Sequence, residues 1–251
     1  MNSEREKEIL KIIYQKRTVT VKQLSQMLYA SEPSIRRDLS RLEKQHLLKR
    51  FHGGAKIEAA GPSNLRVPYM MRELEMVDEK ELIARKAMSL VKDKDVIFID
   101  SSSSALTLLP HLAKFPNITV ITNGIKALTV GVEYPELRIV STGGTLFPTG
   151  FSLYGGETMK TISNYYANVC FFSCGGLDDR AMISDFNQEE NLVRRAMIEQ
   201  SNFSYLLCTS EKIGIRKYHH LCSVREISGI ICTKELRENM RDKQLVAVDT
   251  V

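Results

Sequence analysis

Six short apolar runs constrain the fold more than any other feature of this chain. They occupy residues 96–99, 118–121, 137–140, 169–172, 205–208 and 229–232. Each has the length of a strand, and none keeps a strict apolar–polar alternation, which is the pattern of strands buried on both faces. Helical segments lie between most of them. The expected architecture is therefore a mostly parallel α/β sheet with helices on both faces. No internal repeat and no low-complexity tract interrupts the series.

The first quarter of the chain has a different rhythm. Ile9, Leu10, Ile12, Ile13 and Tyr14 fall on one side of a helix over residues 3–15. Thr18-Val19-Thr20 breaks it, and Thr20 can cap a second helix carrying Val21, Leu24, Met27 and Leu28. Tyr29-Ala30 is a turn. Ser31 caps a third helix, with Pro33 in its first turn, where a missing N–H costs little, and with Ile35, Leu39 and Leu42 as its inward stripe. Residues 47–51 read as a strand, His52-Gly53-Gly54 as a turn and residues 55–57 as a returning strand. Three helices and a hairpin make a winged helix-turn-helix. The expected organisation is a head over residues 1–57, a linker over 58–76 containing Gly61-Pro62-Ser63 and Pro68, and an α/β body over 77–251. The body should open with a helix over residues 78–91 that turns Leu82, Ile83, Ala87 and Leu90 inward.

The head also carries the positive charge. Residues 1–60 hold 13 Lys+Arg against 7 Asp+Glu, and the remainder 22 against 23. A basic module on a near-neutral body fits a polyanionic partner. With the third helix packed through Ile35, Leu39 and Leu42, the residues Ser34, Arg36, Arg37 and Arg41 are left outward. The N-terminal part of such a helix enters the major groove, where a guanidinium fork takes both acceptors of a guanine or a phosphate oxygen. On the wing, Lys49, Arg50 and His52 would reach the DNA backbone or the minor groove, with Gly53 and Gly54 making the turn. Two adjacent arginines on an arbitrary helix would more simply face water; the helix-turn-helix spacing and the Gly-Gly wing favour double-stranded operator DNA. No aromatic platform accompanies them, as single-stranded RNA would need.

A parallel sheet delivers the carboxyl ends of its strands to one edge, where ligands bind. Those ends read Asp100-Ser101-Ser102-Ser103-Ser104, Thr122-Asn123-Gly124, Thr142-Gly143-Gly144, Gly175-Gly176-Leu177-Asp178 and Thr209-Ser210-Glu211-Lys212. The first loop opens into a helix near Ala105, so its N–H groups and hydroxyls form a candidate anion site. Lys212 adds a positive charge. Each loop alone is ordinary turn chemistry; five at one edge suit a phosphorylated sugar or polyol.

In the head, Arg5, Ile9, Ile13, then Ser31 and Ser34-Ile35-Arg36-Arg37-Asp38-Leu39, then Arg50-Phe51-His52-Gly53-Gly54-Ala55, resemble the DeoR family of bacterial repressors. The resemblance runs over nearly the whole chain. It implies a sensor domain similar to ribose-5-phosphate isomerase and CoA-transferase folds that binds a phosphorylated sugar intermediate. The family's Asp-x-Gly-Thr-Thr loop corresponds to residues 100–104, its Thr-Asn to Thr122-Asn123 and its Gly-Gly to Gly143-Gly144. Its later acidic segment corresponds to Asp185-Phe186 and Glu190, followed by Arg194-Arg195, and its Asp-x-Ser-Lys-Phe-Gly loop to residues 209–214. The family commonly has Thr at Ser34, Gly at Ser102 and Asp at Thr209.

Other classes fare worse. Five cysteines without CxxC spacing argue against zinc or a disulfide framework and read as buried, reduced thiols. His219-His220 lacks companion ligands and reads as a solvated loop. No cofactor is expected. The charged start lacks a secretory h-region, and no run approaches a membrane span, so a cytoplasmic protein is expected. A sugar-phosphate isomerase could conscript Asp178, Asp185, Glu190 and Lys212, but no motif orders them and the head would be unexplained, so no catalytic residue is expected. A DNA-binding protein whose body only oligomerises is the other alternative. The favoured reading is a homo-oligomer, dimer or tetramer, whose body sets the spacing of its heads in response to the ligand.

Overall fold

The computed structural model describes residues 4–44, 47–56 and 69–233. The chain divides into two compact units, Met1–Glu75 and Met76–Val251.

The first unit contains α1 (Glu4–Lys16), β1 (Thr18–Thr20), α2 (Val21–Met27), α3 (Glu32–Lys44), β2 (Lys49–Phe51), β3 (Gly54–Lys56) and α4 (Tyr69–Leu74). Ile9, Ile13, Leu24, Ile35, Leu39 and Leu42 close its core without solvent exposure. Fully burying a side chain of this size is worth about 1.5–3 kcal/mol. Thr20 caps α2 reciprocally: Gln23 N–H donates to Thr20 Oγ1 at 3.2 Å, and Thr20 N–H to Gln23 Oε1 at 2.9 Å. The segment 18–20 also pairs as a strand, giving an antiparallel sheet in the order β1-β3-β2 with Val19 opposite Ala55. At the wing, Gly53 has φ +87°, and a Cβ on Gly54 would lie 2.5 Å from both the Phe51 ring and the Val19 carbonyl. The turn therefore needs both glycines.

Two expectations change here. Met27 is exposed rather than packed. The second half of the expected linker is helical: α4 buries Met71 in the core of the head, because the Gly/Pro signal ends at Pro68 and Tyr69-Met70-Met71 brings apolar surface worth burying. Ile57, the rest of the linker to Pro68 and the Tyr14 side chain lie outside the described residues.

The second unit runs α5 (Val77–Ala87), β4 (Val96–Ile99), α6 (Ser103–Leu106), α7 (Leu109–Leu112), β5 (Thr119–Thr122), α8 (Ile125–Val130) and β6 (Arg138–Ser141). It continues with β7 (Thr145–Phe147), β8 (Ser152–Tyr154), α9 (Gly156–Ser163), β9 (Ala167–Phe172), β10 (Gly176–Leu177) and β11 (Met182–Asp185). The last elements are α10 (Gln188–Glu199), β12 (Ser201–Leu207), β13 (His219–Ser223) and β14 (Gly229–Ile231). The six apolar runs form one six-stranded sheet, β14-β12-β9-β4-β5-β6, parallel throughout. Pleating splits each run between two cores. Ile97, Ile99, Val169, Phe171, Leu207 and Ile231 pack with Ile83, Ala84 and Ala87 of α5. Phe98, Cys170, Phe172, Leu206 and Ile230 pack with Ile162 of α9 and Val193 and Met197 of α10. Both faces are covered, which is why the runs lack alternation. The chain builds β4, β5 and β6 in one direction and β9, β12 and β14 in the other. The topological switch point therefore lies between β4 and β9.

Two small antiparallel sheets, β10-β11-β13 and the β7-β8 hairpin, were not expected from the sequence. His219 and His220, read as loop, begin β13 and pair with β11. Leu82 is exposed, because α5 buries the stripe Lys80, Ile83, Ala84 and Ala87, about a quarter-turn away. Among the described residues no helix is long and apolar enough to cross a membrane.

Candidate functional site

The start of α3 presents an exposed polar face. Arg37 Nη2 donates to Ser34 Oγ at 3.0 Å, and Ser31 Oγ donates to the same oxygen at 3.0 Å. Arg36 is exposed and pairs with its helix neighbour Glu32 at 3.0 Å. Pro33 is exposed beside them, and His52 and Gly53 are exposed at the wing tip. Arg41 and Arg50 are placed differently. Arg41 Nε lies 2.7 Å from the buried Glu6, and its Nη2 pairs with the buried Asp38, which also holds Arg5 Nε at 2.6 Å. This quartet clamps α1 to α3. Arg50 donates to Ser40 Oγ, and its N–H to Glu43 Oε1 at 2.9 Å, tying the wing to α3. The sequence grouped both arginines with the DNA contacts, since helical spacing shows which residues face outward but not a partner such as Glu6, thirty-five positions away.

In the body, the loop after β4 joins an acidic end to a basic end. Asp100 Oδ2 accepts from Arg194 Nε at 2.7 Å, and Arg194 Nη1 reaches Asp185 Oδ2 at 2.9 Å and Asn191 Oδ1 at 3.1 Å. Arg194 is 2% exposed. Burial works against its charge, but Asp185, Asp100 and Glu190 outweigh it and raise its pKa above the ordinary arginine value. Glu190 Oε1 accepts from Ser152 Oγ at 2.9 Å and Ser101 Oγ at 3.4 Å. At the other end, Lys212 Nζ donates to Ser173 Oγ at 2.6 Å and Ser104 Oγ at 3.4 Å. Ser104 lies beyond β4 and Ser173 directly follows β9, so Lys212 straddles the switch point.

The helix opened by this loop, α6, spans four residues. It is too short to supply the helix N-terminal anion site expected from the sequence. Ser102 turns its hydroxyl to accept from Ala105 N–H at 3.1 Å, with φ −76° and ψ 153°, so a side chain sits there without strain. Ser103 is buried beside it. The positive end of the site is Lys212.

Thr122 ends β5, the neighbour of β4, and Asn123 follows it. Thr122 Oγ1 accepts from Gly124 N–H at 3.0 Å, and a Cβ on Gly124 would stand 3.0 Å from Ser101 Cα. Asn123 Nδ2 donates to Leu153 O at 3.0 Å, while its buried Oδ1 meets no donor among the described residues. Gly143 and Gly144, with φ +65° and +113°, turn from β6 into β7; the Gly143 carbonyl accepts from Thr158 Oγ1 at 2.6 Å. They stand two strands from the serine loop. Asp178 serves the β10–β11 turn: it accepts from Arg180 N–H at 2.9 Å, Met182 N–H at 3.0 Å and Arg216 Nε at 2.6 Å. Burial raises its pKa, but the Met182 N–H, Arg216 and the Arg180 N–H together hold it below the usual value. The structure thus groups Asp100, Ser102, Ser103, Ser104, Thr122, Asn123, Asp185, Glu190, Arg194 and Lys212, and leaves Gly143, Gly144 and Asp178 in other networks. It adds Ser101, Ser152, Ser173 and Asn191. Ser173 was legible as the first residue past a strand; Ser152 lies on the unexpected hairpin.

The sequence pattern of the DeoR C terminal sensor domain matches residues 75–234, and that of the DeoR-like helix-turn-helix domain matches residues 5–60. The chain belongs to the DeoR family. This DeoR-family chain is 34% identical over 229 residues to the HTH-type transcriptional regulator YulB of Bacillus subtilis (strain 168), covering 91% of this chain and 88% of that protein. It is 25% identical over 228 residues to the glycerol-3-phosphate regulon repressor of Escherichia coli (strain K12), covering 91% and 89%. A solved ribose 5-phosphate isomerase A from Methanocaldococcus jannaschii overlaps 55% of this chain and 54% of its own, at 16% identity and TM-score 0.41; so loose a likeness carries no argument. DeoR-family membership makes the chain a transcriptional regulator, and the tethered-isomerase alternative falls.

Proposed function

We propose that this DeoR-family regulator represses genes of carbohydrate metabolism by binding operator DNA, and that a phosphorylated sugar or polyol bound at the β4–β9 switch point releases it. Ser34, Arg36, Arg37 and the wing tip at His52 read the operator. The observation that carries the sensor half is Lys212, which holds two serine hydroxyls, Ser104 and Ser173, across the switch point. A phosphate seated there would accept charge-assisted bonds from Lys212 and from both hydroxyls once they rotate. The protein acts in the cytoplasm as a homo-oligomer, at least a dimer, since helix-turn-helix heads read paired half-sites. Ligand shifts the population between operator-competent and incompetent arrangements.

Lys212→Ala tests the sensor half. The variant should bind operator like the parent and no longer be released by sugar phosphates in a fluorescence-anisotropy titration. Release identical to the parent's would remove Lys212 from the site, and a ligand that saturates the body without altering operator affinity would remove the coupling.

A further inference from the structure

We propose that the contact between Glu79 and Ser210 couples the Lys212 turn to the chain segment that leads to the head. It is the route by which an occupant of the switch-point site alters operator binding. This rests on the effector reading above and names the residues that transmit it.

The starting observation is the first turn of α5. Its N-cap is Met76, whose side chain makes no capping bond. Glu79 stands three residues later, at the position from which a glutamate ordinarily folds back onto the N-terminus of its own helix. Here both of its oxygens go elsewhere. Oε1 accepts from Ser210 N–H at 2.9 Å and Oε2 from Ser210 Oγ at 2.9 Å, across 131 positions of sequence. The carboxylate holds one residue by two charge-assisted bonds, which fixes direction as well as distance.

Ser210 opens a three-residue 3-10 turn, Ser210–Lys212, at the carboxyl end of β12. Lys212 N–H donates to Thr209 O at 3.1 Å, so the turn is closed on itself. Its last residue reaches Ser173 and Ser104 at the switch point, and its first is held by α5. A movement of the turn that follows Lys212 onto an anion therefore acts on Glu79 as well. On the other side, α5 is the first helix past the boundary between Glu75 and Met76. Only Glu75 and Met76 separate it from α4, which packs Met71 in the core of the head. Met76 is exposed and has φ 50° and ψ 38°, a left-handed conformation uncommon for a residue with a side chain. Such backbone is concentrated in switch regions, and hinges are residues at the ends of elements that absorb dihedral change. The later part of α5 is fixed by the buried Ile83, Ala84 and Ala87, so Ser210 acts on the end of the helix that is nearer the head in sequence. Ser210 is exposed and Glu79 half-buried, so their bonds can be exchanged for bonds to water at small net cost, as a switched contact requires.

The test is the operator affinity of the full-length protein by fluorescence anisotropy, with and without inorganic phosphate, glycerol 3-phosphate, ribose 5-phosphate or glucose 6-phosphate. Calorimetry follows the binding of each probe. The ratio of the two operator affinities is the coupling factor, typically about 5–150-fold in regulated proteins. For the probe with the largest factor in the parent, Glu79→Ala should bring the ratio to within about two-fold of unity while the probe still binds. Glu79→Gln can accept from Ser210 N–H and donate to Ser210 Oγ, so it should keep a larger factor than Glu79→Ala. Ser210→Ala, which loses the hydroxyl and keeps the N–H, should fall between the parent and Glu79→Ala. A parent-like factor in Glu79→Ala overturns the proposal and leaves the effector reading standing. If no probe alters the operator affinity of the parent, both are overturned. Hydrogen exchange of the parent needs no variant: the effective probe should change exchange in residues 209–213 and 77–82 together, and a change confined to 209–213 overturns the coupling through Glu79.

Discussion

Replacing Arg194 by Leu removes the guanidinium from a site where Asp100 and Asp185 pair with it at 2.7 and 2.9 Å and Glu190 lies within its field. All three carboxylates are buried, so none can recover its lost partner from bulk water. Breaking a buried pair by deleting one member costs about 3–5 kcal/mol, well above the 0–1 kcal/mol typical of an exposed pair. In a unit the size of the body, each kcal/mol moves the midpoint by about 2–4 °C, so Tm of the body's transition should fall by roughly 6–20 °C. Circular dichroism during heating and urea unfolding followed by tyrosine fluorescence both read this. Adding Asp100→Asn removes one stranded charge and should recover part of the loss, giving a coupling energy of about 0.5–3 kcal/mol in a double-mutant cycle. A loss below about 1 kcal/mol, or no recovery in the double variant, would refute the picture of Arg194 as the buried keystone of the acidic end.

Three further predictions follow from the same contacts. Arg37→Ala should weaken operator binding and leave thermal stability unchanged, whereas Arg41→Ala, which opens the Glu6–Asp38 clamp, should lower the head's stability; the reverse pattern would exchange their roles. Asp178 has its folded pKa held below the usual value, so its stabilisation is present above the unfolded carboxyl pKa of about 4 and disappears as pH falls through the folded value. Asp178→Asn should therefore be less stable than the parent at pH 7, with urea midpoints converging below about pH 4; a gap independent of pH would show that the charge is irrelevant. Burial pushes the Cys174 thiol up to about 11, Cys222 up to about 12, and Cys170 and Cys208 well above their ordinary value. Iodoacetamide at pH 8 should label these four slowly in the native state and quickly in urea, and rapid native labelling would contradict their burial.

The parallel sheet was legible because β4, β5, β9 and β14 are buried along almost their whole length, and unbroken apolar runs leave few other folds open. The recognition helix was legible because Ile35, Leu39 and Leu42 repeat at helical spacing. Elements held by long-range partners were not. β10 has two residues, and β13 begins with His219-His220, so neither carries a strand-like apolar signal. The same limit explains the site. Asp100, Lys212 and the serines could be placed at one edge from the strand ends alone. That Arg194 is buried against Asp100, or that Ser152 reaches Glu190, depends on α10 and the β7–β8 hairpin folding over that edge, which no local spacing encodes. The contacts of Arg41 with Glu6 and of Arg50 with Ser40 and Glu43 were not legible for the same reason, since an outward position does not show which side chains from other elements lie within reach.

Ligand at the switch-point site should change how tightly the head holds operator DNA. An anisotropy titration of the full-length protein on DNA from upstream of its own gene, at two salt concentrations and with each sugar monophosphate in turn, tests it most directly. Binding should be tight, should weaken steeply with salt, as phosphate contacts require, and should be reversed by at least one monophosphate. Salt-sensitive binding that no sugar phosphate alters would contradict the coupling, and absence of specific binding would contradict the head's role as well.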